Sequence, residues 1–311
     1  MSDPKERIPV QNILVQQART SQGDELPGPT NAARFWRTFR RHRLGLVGLV
    51  IVGTMVLAAV GAPYLAPADP LAQDILRARL QPPSAAHPLG TDELGRDLLS
   101  RLIYGARISL TIGLLAEGTA LLIGSVIGAL AGFLGGRVDD LLMRITEIFM
   151  AIPSLLFLIA VVAILEPNVV TIALALGVIG WPSEARVMRS QVLAVKNLEY
   201  VTAAHALGLR PYQVLLRHIL PNALSPMIVV GTLGIAGAIL TEATLSFLGL
   251  GIQQPIPSWG TMVYTGQNYI FTAWWYAVFP GLAIMLTVLG FNFVGDALRD
   301  ALDPNRVTQR T

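Results

Sequence analysis

Two glutamates lie inside long apolar stretches of the sequence and are the first candidates for chemistry. Glu242 lies in the run ILTEATLSFLGLG, and Glu117 is surrounded by leucine, alanine and glycine. An ionisable side chain at membrane depth is expensive, so it is a functional candidate by default. Glu242 would either line a translocation pathway, where it would meet a substrate amine, or accept hydrogen bonds from neighbouring helices. For Glu117 we expect a structural role, because it lies nearer to the outer end of its apolar run.

Metal binding and covalent catalysis are not predicted. The sequence has no cysteine, which excludes thiol catalysis and thiolate ligands. Its four histidines have no ligand-like spacing and no carboxylate cluster beside them; they are His42, His87, His205 and His218. An intramembrane enzyme would need a nucleophile and a base at membrane depth, and the sequence offers no such pair.

A nucleotide site is not predicted either. The two lysines are Lys5 and Lys196, and neither completes a Gly-x-x-x-x-Gly-Lys-Ser/Thr loop. We therefore expect the chain to be no enzyme and to hold no cofactor of its own. If transport uses ATP, another polypeptide must bind it.

These residues must be positioned by membrane-spanning helices. Of the 311 residues 53% are hydrophobic and 14% are charged, and the mean hydropathy is positive, as expected for an integral membrane protein. Runs of about 20 apolar residues predict an all-α, polytopic fold with six spans. The predicted spans are about 44–64, 108–134, 145–165, 169–181, 224–250 and 274–294. The fourth is short, so its helix is expected to continue past Pro182 toward Arg186.

Small residues recur every four positions in the second span. Residues at this spacing share one face of a helix and permit close contact between helices in lipid. We expect this stripe to pack inside the bundle or against a partner subunit; it consists of Ala116, Ala120, Gly124, Gly128 and Gly132. Helices are also expected to bend or pack tightly at Pro153 and at three glycines of the fifth span, Gly231, Gly234 and Gly237.

The distribution of charge predicts the orientation. Six spans place both termini on one side, and assigning that side to the cytoplasm leaves few of the 23 basic residues outside. Those outside are Arg77, Arg79, Arg96, Arg101 and Arg107. Residues 1–33 are expected to be a disordered cytoplasmic tail. The basic, aromatic segment that follows is read as an anchor at the lipid headgroups rather than as a nucleic-acid site.

Between the first two spans lies the string HPLGTDELGRDLLSRLIYGARISL, residues 87–110. Thr91 or Asp92 is predicted to cap a helix whose apolar stripe is Leu94, Leu98 and Leu102. Such a helix would lie along the outer membrane surface or cap the bundle.

The longest polar segment between the later spans, residues 196–222, is predicted to be a helical hairpin. Residues 196–207 form a short helix that Gly208 ends, and Pro211 begins a second short helix that Pro221 closes. Ala203, Ala204 and Gly208 would present a small-residue surface that another protein can approach closely.

This segment resembles the EAA loop of binding-protein-dependent ABC importer permeases, whose pattern is Glu-Ala-Ala, three residues, Gly, nine residues, Ile-x-Leu-Pro. Ala203, Ala204, Gly208, Leu220 and Pro221 are in register, whereas Thr202 replaces the Glu and His218 replaces the Ile. In that family the loop docks into the ATPase subunit. The resemblance therefore implies ATPase coupling by nine residues, namely Thr202, Ala203, Ala204, Leu207, Gly208, Arg210, His218, Leu220 and Pro221.

The string at residues 87–110 is similar to the second, C-type permease of the dipeptide/oligopeptide/nickel subfamily, and residues 35–305 as a whole resemble that subfamily. The resemblance implies a type I importer fold in a bacterial or archaeal plasma membrane. It also implies four partners: a second, homologous permease, two ATPase subunits that bind ATP and Mg²⁺, and an extracytoplasmic substrate-binding protein near the outer loop. Beyond these and membrane lipid, no nucleic-acid partner is expected.

Four regions follow from this interpretation. They are the tail 1–33, the anchor helix and outer loop 34–104, a five-helix core 105–300 that contains the hairpin, and a cytoplasmic tail 301–311. The expected function is peptide import, with nickel chelates or glutathione-like solutes as the alternative cargo. A stand-alone secondary transporter is the alternative from another class, and it would show inverted repeats or paired broken helices.

Overall fold

The computed structural model describes residues 31–302, with side chains from Phe35 onward. Within this part of the chain, five single helices are long and apolar enough to cross a membrane. They are α2 (Arg43–Val60), α5 (Leu98–Leu134), α8 (Val169–Lys196), the continuous helix Pro211–Phe247, and α13 (Trp275–Leu302). Two further helices, α6 (Gly136–Ala151) and α7 (Ser154–Ile164), are bent by 79° against each other and are apolar enough to make a sixth span if the pair crosses as one broken helix. The predicted all-α, polytopic fold is confirmed, and its six predicted spans correspond to the five single helices and this pair. Of the two predicted tails, residues 1–30 and 303–311 lie outside the described residues, whereas residues 31–33 belong to a helix that begins at Asn31.

Shorter helices connect the spans. Helix α1 (Asn31–Arg41) precedes the first span, and α3 (Ala62–Leu65) and α4 (Ile75–Ala78) follow it. Helix α9 (Glu199–Ala206) follows α8, and α12 (Trp259–Gly266) precedes α13. We call the end of the bundle that carries residues 61–97 and 248–274 the loop end, and the end that carries residues 197–214 the hairpin end.

The prediction of a separate amphipathic helix between the first two spans is wrong. Residues 91–97 form a tight turn, closed by a bridge between Thr91 and Asp97. Asp97 is the N-cap, because its carboxylate accepts a hydrogen bond from the backbone N–H of Ser100 at 2.8 Å. The helix therefore begins at Leu98 and continues without a break through the whole second span, for 37 residues.

Prolines explain the shape of two other spans. The third span bends at Pro153, the N-cap of α7, because a proline lacks the N–H that a continuous helix needs. The predicted continuation of the fourth helix beyond Pro182 is confirmed, since α8 runs to Lys196 with that proline inside it.

Pro221 does not close a hairpin helix, contrary to prediction. The helix that begins with α10 (Pro211–Val214) passes through one π-helical segment, Leu215–Ile219, and continues as α11 (Leu220–Phe247). A proline ring clashes with the carbonyl four residues earlier in a regular α-helix. The wider π turn before Pro221 accommodates that ring and lets the helix continue. The hairpin is consequently joined rigidly to the fifth span.

The stripe of small residues on α5 lies against α8. All five members are buried, and a Cβ added at Gly124 or Gly128 would overlap atoms of residues 181–188. Helices α5 and α8 therefore pack with their backbones close together, as small residues permit in lipid. Helix α11 also packs against α5, and α2 and α13 complete the bundle.

Candidate functional site

The hairpin at residues 197–214 is built by local backbone preferences. Gly208 has a φ of +77°, in the left-handed region that glycine adopts without strain. The N–H groups of Gly208 and Leu209 bond back to the carbonyls of His205 and Ala204, which ends α9. Pro211 is the first residue of α10, and the Gln213 side chain accepts the Arg210 N–H at 3.0 Å. Glycine and proline thus set the turn at the predicted positions.

The underside of the hairpin is a small apolar core. Val201, Ala204, Val214 and Ile219 are each 5% exposed or less, and they pack with Met188 of α8 and other buried residues of α5 and α11. The prediction that Ala204 belongs to the exposed surface is therefore wrong. Residue 204 faces inward on α9, where a larger side chain would displace its neighbours.

The outer side of the hairpin is apolar as well as small. Leu207 is 81% exposed and Tyr212 is 55% exposed, one on each side of Gly208. Nothing lies within 4 Å of a Cβ built on Gly208, so the turn itself is open. Large apolar side chains held out by a short, well-packed support are typical of a protein-binding surface. We call Leu207, Gly208 and Tyr212 the knuckle.

The remaining predicted coupling residues divide by exposure. Thr202, Ala203 and Arg210 are exposed beside the knuckle, whereas Leu220 and His218 are half-buried where the hairpin joins α11. The His218 carbonyl, freed by the π turn, accepts from the Asn222 side chain at 2.7 Å. His218 and Pro221 thus shape the connection to the fifth span, and Pro221 is also exposed there.

Glu242 is fully buried in α11. The Ser246 hydroxyl donates to its Oε1 at 2.7 Å, whereas its Oε2 has no hydrogen-bond partner within the described structure. The donor lies one turn away on the same helix, and not on a neighbouring helix as the second alternative had expected. In this conformation the side chain reaches no open path, so its role in a translocation pathway stays a prediction.

Glu117 and Glu184 are two further buried acids in the same bundle. Each is 7% exposed, and one carboxylate oxygen of each lacks a partner among the described residues. A Cβ built on Gly234 of α11 would overlap the Glu117 carboxylate, so the two touch. Glu184 is therefore buried inside the bundle, although it lies in the half of α8 nearer to the hairpin.

Charges at the loop end, in contrast, are paired. Arg96 Nε lies 2.6 Å from Asp92 Oδ2, and Arg101 Nε lies 3.3 Å from the same oxygen. Arg96 also reaches Glu93 and the Gln254 side chain, each at 3.2 Å. Burial raises the pKa of Asp92, and Arg96 is the strongest of the groups that oppose this rise. This network ties the turn at 91–97 to the loop before α12.

Sequence reasoning missed three features of these sites. Tyr212 was not singled out, although an aromatic residue directly after a turn proline is a usable signal. Glu184 lies close to a proline and to Arg186, which made it resemble a polar helix end. The buried network of Asp92, Arg96 and Arg101 was read as the charged face of a surface helix, because charge alone does not distinguish a solvated face from a buried pair.

Comparison with protein families gives two matches along the chain. Residues 124–308 match the family described as binding-protein-dependent transport system inner membrane component. Residues 30–83 match the N-terminal TM domain of oligopeptide transport permease C. Together the two matches include the first span, the hairpin and all spans after α5.

Several characterised or named proteins are similar over most of their length. The dipeptide transport system permease protein DppC of Alkalihalophilus pseudofirmus is 44% identical, with 86% of this chain and 88% of that protein covered. The probable D,D-dipeptide transport system permease protein DdpC of Escherichia coli is 46% identical, with 88% and 92% covered. The oligopeptide transport system permease protein OppC of Bacillus subtilis is 42% identical, with 95% and 99% covered.

A solved structure shares the fold. The inward-facing MetNI methionine ABC transporter contains a chain that matches with a TM-score of 0.55 at 18% identity, covering 65% of this chain and 96% of its own length. At that identity the likeness concerns the fold alone.

Proposed function

The chain belongs to the family of binding-protein-dependent transport system inner membrane components, and we propose that it is the permease subunit of an ATP-driven importer of dipeptides and oligopeptides. It would form half of the translocation pathway, and a second, homologous permease would form the other half. Two ATPase subunits would bind ATP and Mg²⁺, and a binding protein would deliver the peptide. The peptide cargo is supported by relatives at 42–46% identity that are named for dipeptides or oligopeptides.

We propose further that the hairpin end faces the cytoplasm. The exposed arginines Arg137, Arg144, Arg210 and Arg217 lie near that end of the bundle, and basic residues concentrate on the cytoplasmic side of membrane proteins. At the loop end, Arg96 and Arg101 are paired with Asp92 inside the protein, and Arg96 is also paired with Glu93. The exposed positive charge is therefore concentrated at the hairpin end more strongly than a count of all arginines indicates.

The observation that carries the proposal is the knuckle and its rigid connection. Leu207 and Tyr212 offer an exposed apolar contact for an ATPase subunit. Residues 211–247 form one continuous helix, so a displacement of the hairpin by that subunit would move α11 as a lever. Movement of α11 against α5 would then open or close a path through the bundle.

Replacing Leu207 with serine tests this mechanism. The side chain is 81% exposed, so L207S should leave the fold and the amount of protein in the membrane unchanged. Truncation of a residue that belongs to the minority dominating an interface costs more than about 1 kcal/mol. We therefore expect uptake by the assembled importer in liposomes to fall by roughly tenfold, and ATP hydrolysis to lose its stimulation by peptide and binding protein.

The control is L207M, which keeps an apolar side chain of similar volume and should retain coupled uptake. Normal coupling in L207S would contradict the role of the hairpin. Accumulation of peptide against a gradient by the chain alone, without ATPase subunits, would contradict the permease function itself.

A further inference from the structure

The centre of the bundle holds two acids that no cation neutralises. Glu117 is close to the midpoint of the 37-residue helix α5, about 28 Å from its first residue at 1.5 Å per residue. Glu184 lies on α8, at the level where Gly124 of α5 meets it. Positions 117 and 124 are two turns apart on one face of α5. Glu117 lies there beside Gly234 of α11, and Glu184 lies beside Gly124.

The ionisable groups on every surrounding helix leave this pair without a positive partner. On α8, Arg186 lies 3.8 Å from Glu147, and Arg189 binds Asp139 at 2.5 Å. Helix α7 has no ionisable side chain, and α11 contributes only another acid, Glu242. The ionisable groups that α2, α6, α12 and α13 contribute are Arg43, Arg137, Asp139, Asp140, Arg144, Glu147, Tyr264, Tyr276, Asp296, Arg299 and Asp300. Within residues 31–302, none of these forms an ion pair with Glu117 or Glu184.

Hydrogen bonds do not replace the missing cation. Glu117 Oε1 and Glu184 Oε2 are buried and have no donor within the described structure. The Glu117 carboxylate instead lies against the backbone at Gly234, where a methyl group would have no room. A charged carboxylate that is buried without a partner is so unfavourable that such groups usually take up a proton.

We propose that Glu117 and Glu184 form a proton-binding site at the centre of the bundle. While α5, α8 and α11 are packed as described, the two carboxyls together hold at least one proton. Separation of α8 or α11 from α5 would admit water, and the proton would leave the carboxyl as the carboxylate became hydrated. If the chain transports as proposed, its conformational cycle would therefore be linked to protonation of this pair.

The proton site can be tested on the full chain alone, so the result does not depend on the proposed transport function. Infrared spectra would be recorded at pH 7 in bilayers of ether-linked lipid, which lack the ester carbonyls that obscure this region. We expect a carbonyl band of a protonated carboxyl that is lost or shifted in E117Q and in E184Q. E166Q replaces an exposed glutamate and should leave the band unchanged.

Thermal unfolding provides the second measurement. A carboxyl that must be protonated when buried loses stability as pH rises above the ordinary pKa of glutamate, because the folded state then binds the extra proton. The melting temperature of E117Q should therefore exceed that of the wild type by several degrees at pH 8, and the difference should shrink toward pH 5. E166Q should show no such dependence.

Two results would overturn the proposal. One is a wild-type spectrum at pH 7 identical to those of E117Q and E184Q, with parallel melting curves across the pH range. The other is a dependence on Na⁺. If replacing Na⁺ with choline at constant pH lowers the melting temperature of the wild type but not of E117Q, the acids bind a metal cation and not a proton.

Discussion

The loop end and the centre of the bundle both bury acidic side chains, but they balance the charge in opposite ways. At the loop end Asp92 is completely buried, and two arginines contact the same carboxylate oxygen. At the centre Glu117 and Glu184 are almost as well buried, and no cation contacts either of them in the described structure.

The difference shows what each cluster contributes. Paired charges fix a geometry, since removing one partner leaves the other buried and uncompensated. At the loop end this geometry connects three stretches of chain, because Arg101 also donates to the Pro70 carbonyl and Arg96 to Gln254. Unpaired acids do not hold neighbouring segments of the chain in one geometry. Their charge depends on whether the helices around them are closed, which makes them responsive to conformation.

The largest effect is expected from breaking the loop-end pair. R96M leaves the Asp92 carboxylate buried beside one remaining arginine, and the loss of a buried partner typically costs about 3–5 kcal/mol. We expect a strong fall in the melting temperature of the purified chain. Because burial already raises the pKa of Asp92 and Arg96 opposes this, the fall should be larger at pH 8 than at pH 5, where protonation relieves the uncompensated charge.

Two variants check the cause of this loss. Arg79 is exposed in the same loop, so R79M should change the melting temperature little. In D92N/R96M the buried negative charge is also removed, and part of the lost stability should return. If R79M and R96M are equally destabilised, the buried pair is not the reason.

A smaller effect is expected from crowding the central acids. A Cβ on Gly234 would overlap the Glu117 carboxylate, whereas a Cβ on Gly237 would meet nothing within 4 Å. G234A should therefore lower the free energy of unfolding by about 1–3 kcal/mol, the usual cost of overpacking. G237A should be neutral or slightly stabilising, because alanine favours the helix over glycine. Equal melting temperatures for the two variants would show that Glu117 moves away freely.

The helices, their number and their packing stripe were accessible from the sequence because they follow from periodicity and composition. Ala116, Ala120 and Gly124 could be assigned to one face by spacing alone. Gly208 and Pro211 likewise fixed the hairpin turn, because each residue has a strong backbone preference.

Burial of polar residues was not accessible in the same way. Asp92 looked like a helix cap, since an acid before an apolar run is a typical capping signal. Asp92 instead accepts from Arg96, whose guanidinium also contacts Gln254, far along the chain. The prediction that Pro221 ends a helix was wrong because a single π turn allows a helix to continue through a proline.

The smallest effect is expected at Glu242, which is intermediate between the two clusters. It has no cation, but the Ser246 hydroxyl donates to it at 2.7 Å. The side-chain carbonyl of glutamine can accept the same bond, so E242Q should change the free energy of unfolding by less than about 1 kcal/mol. Since the side chain is fully buried, uptake of cationic and neutral peptides by the assembled importer should change equally. A loss confined to cationic peptides would instead place Glu242 in the pathway.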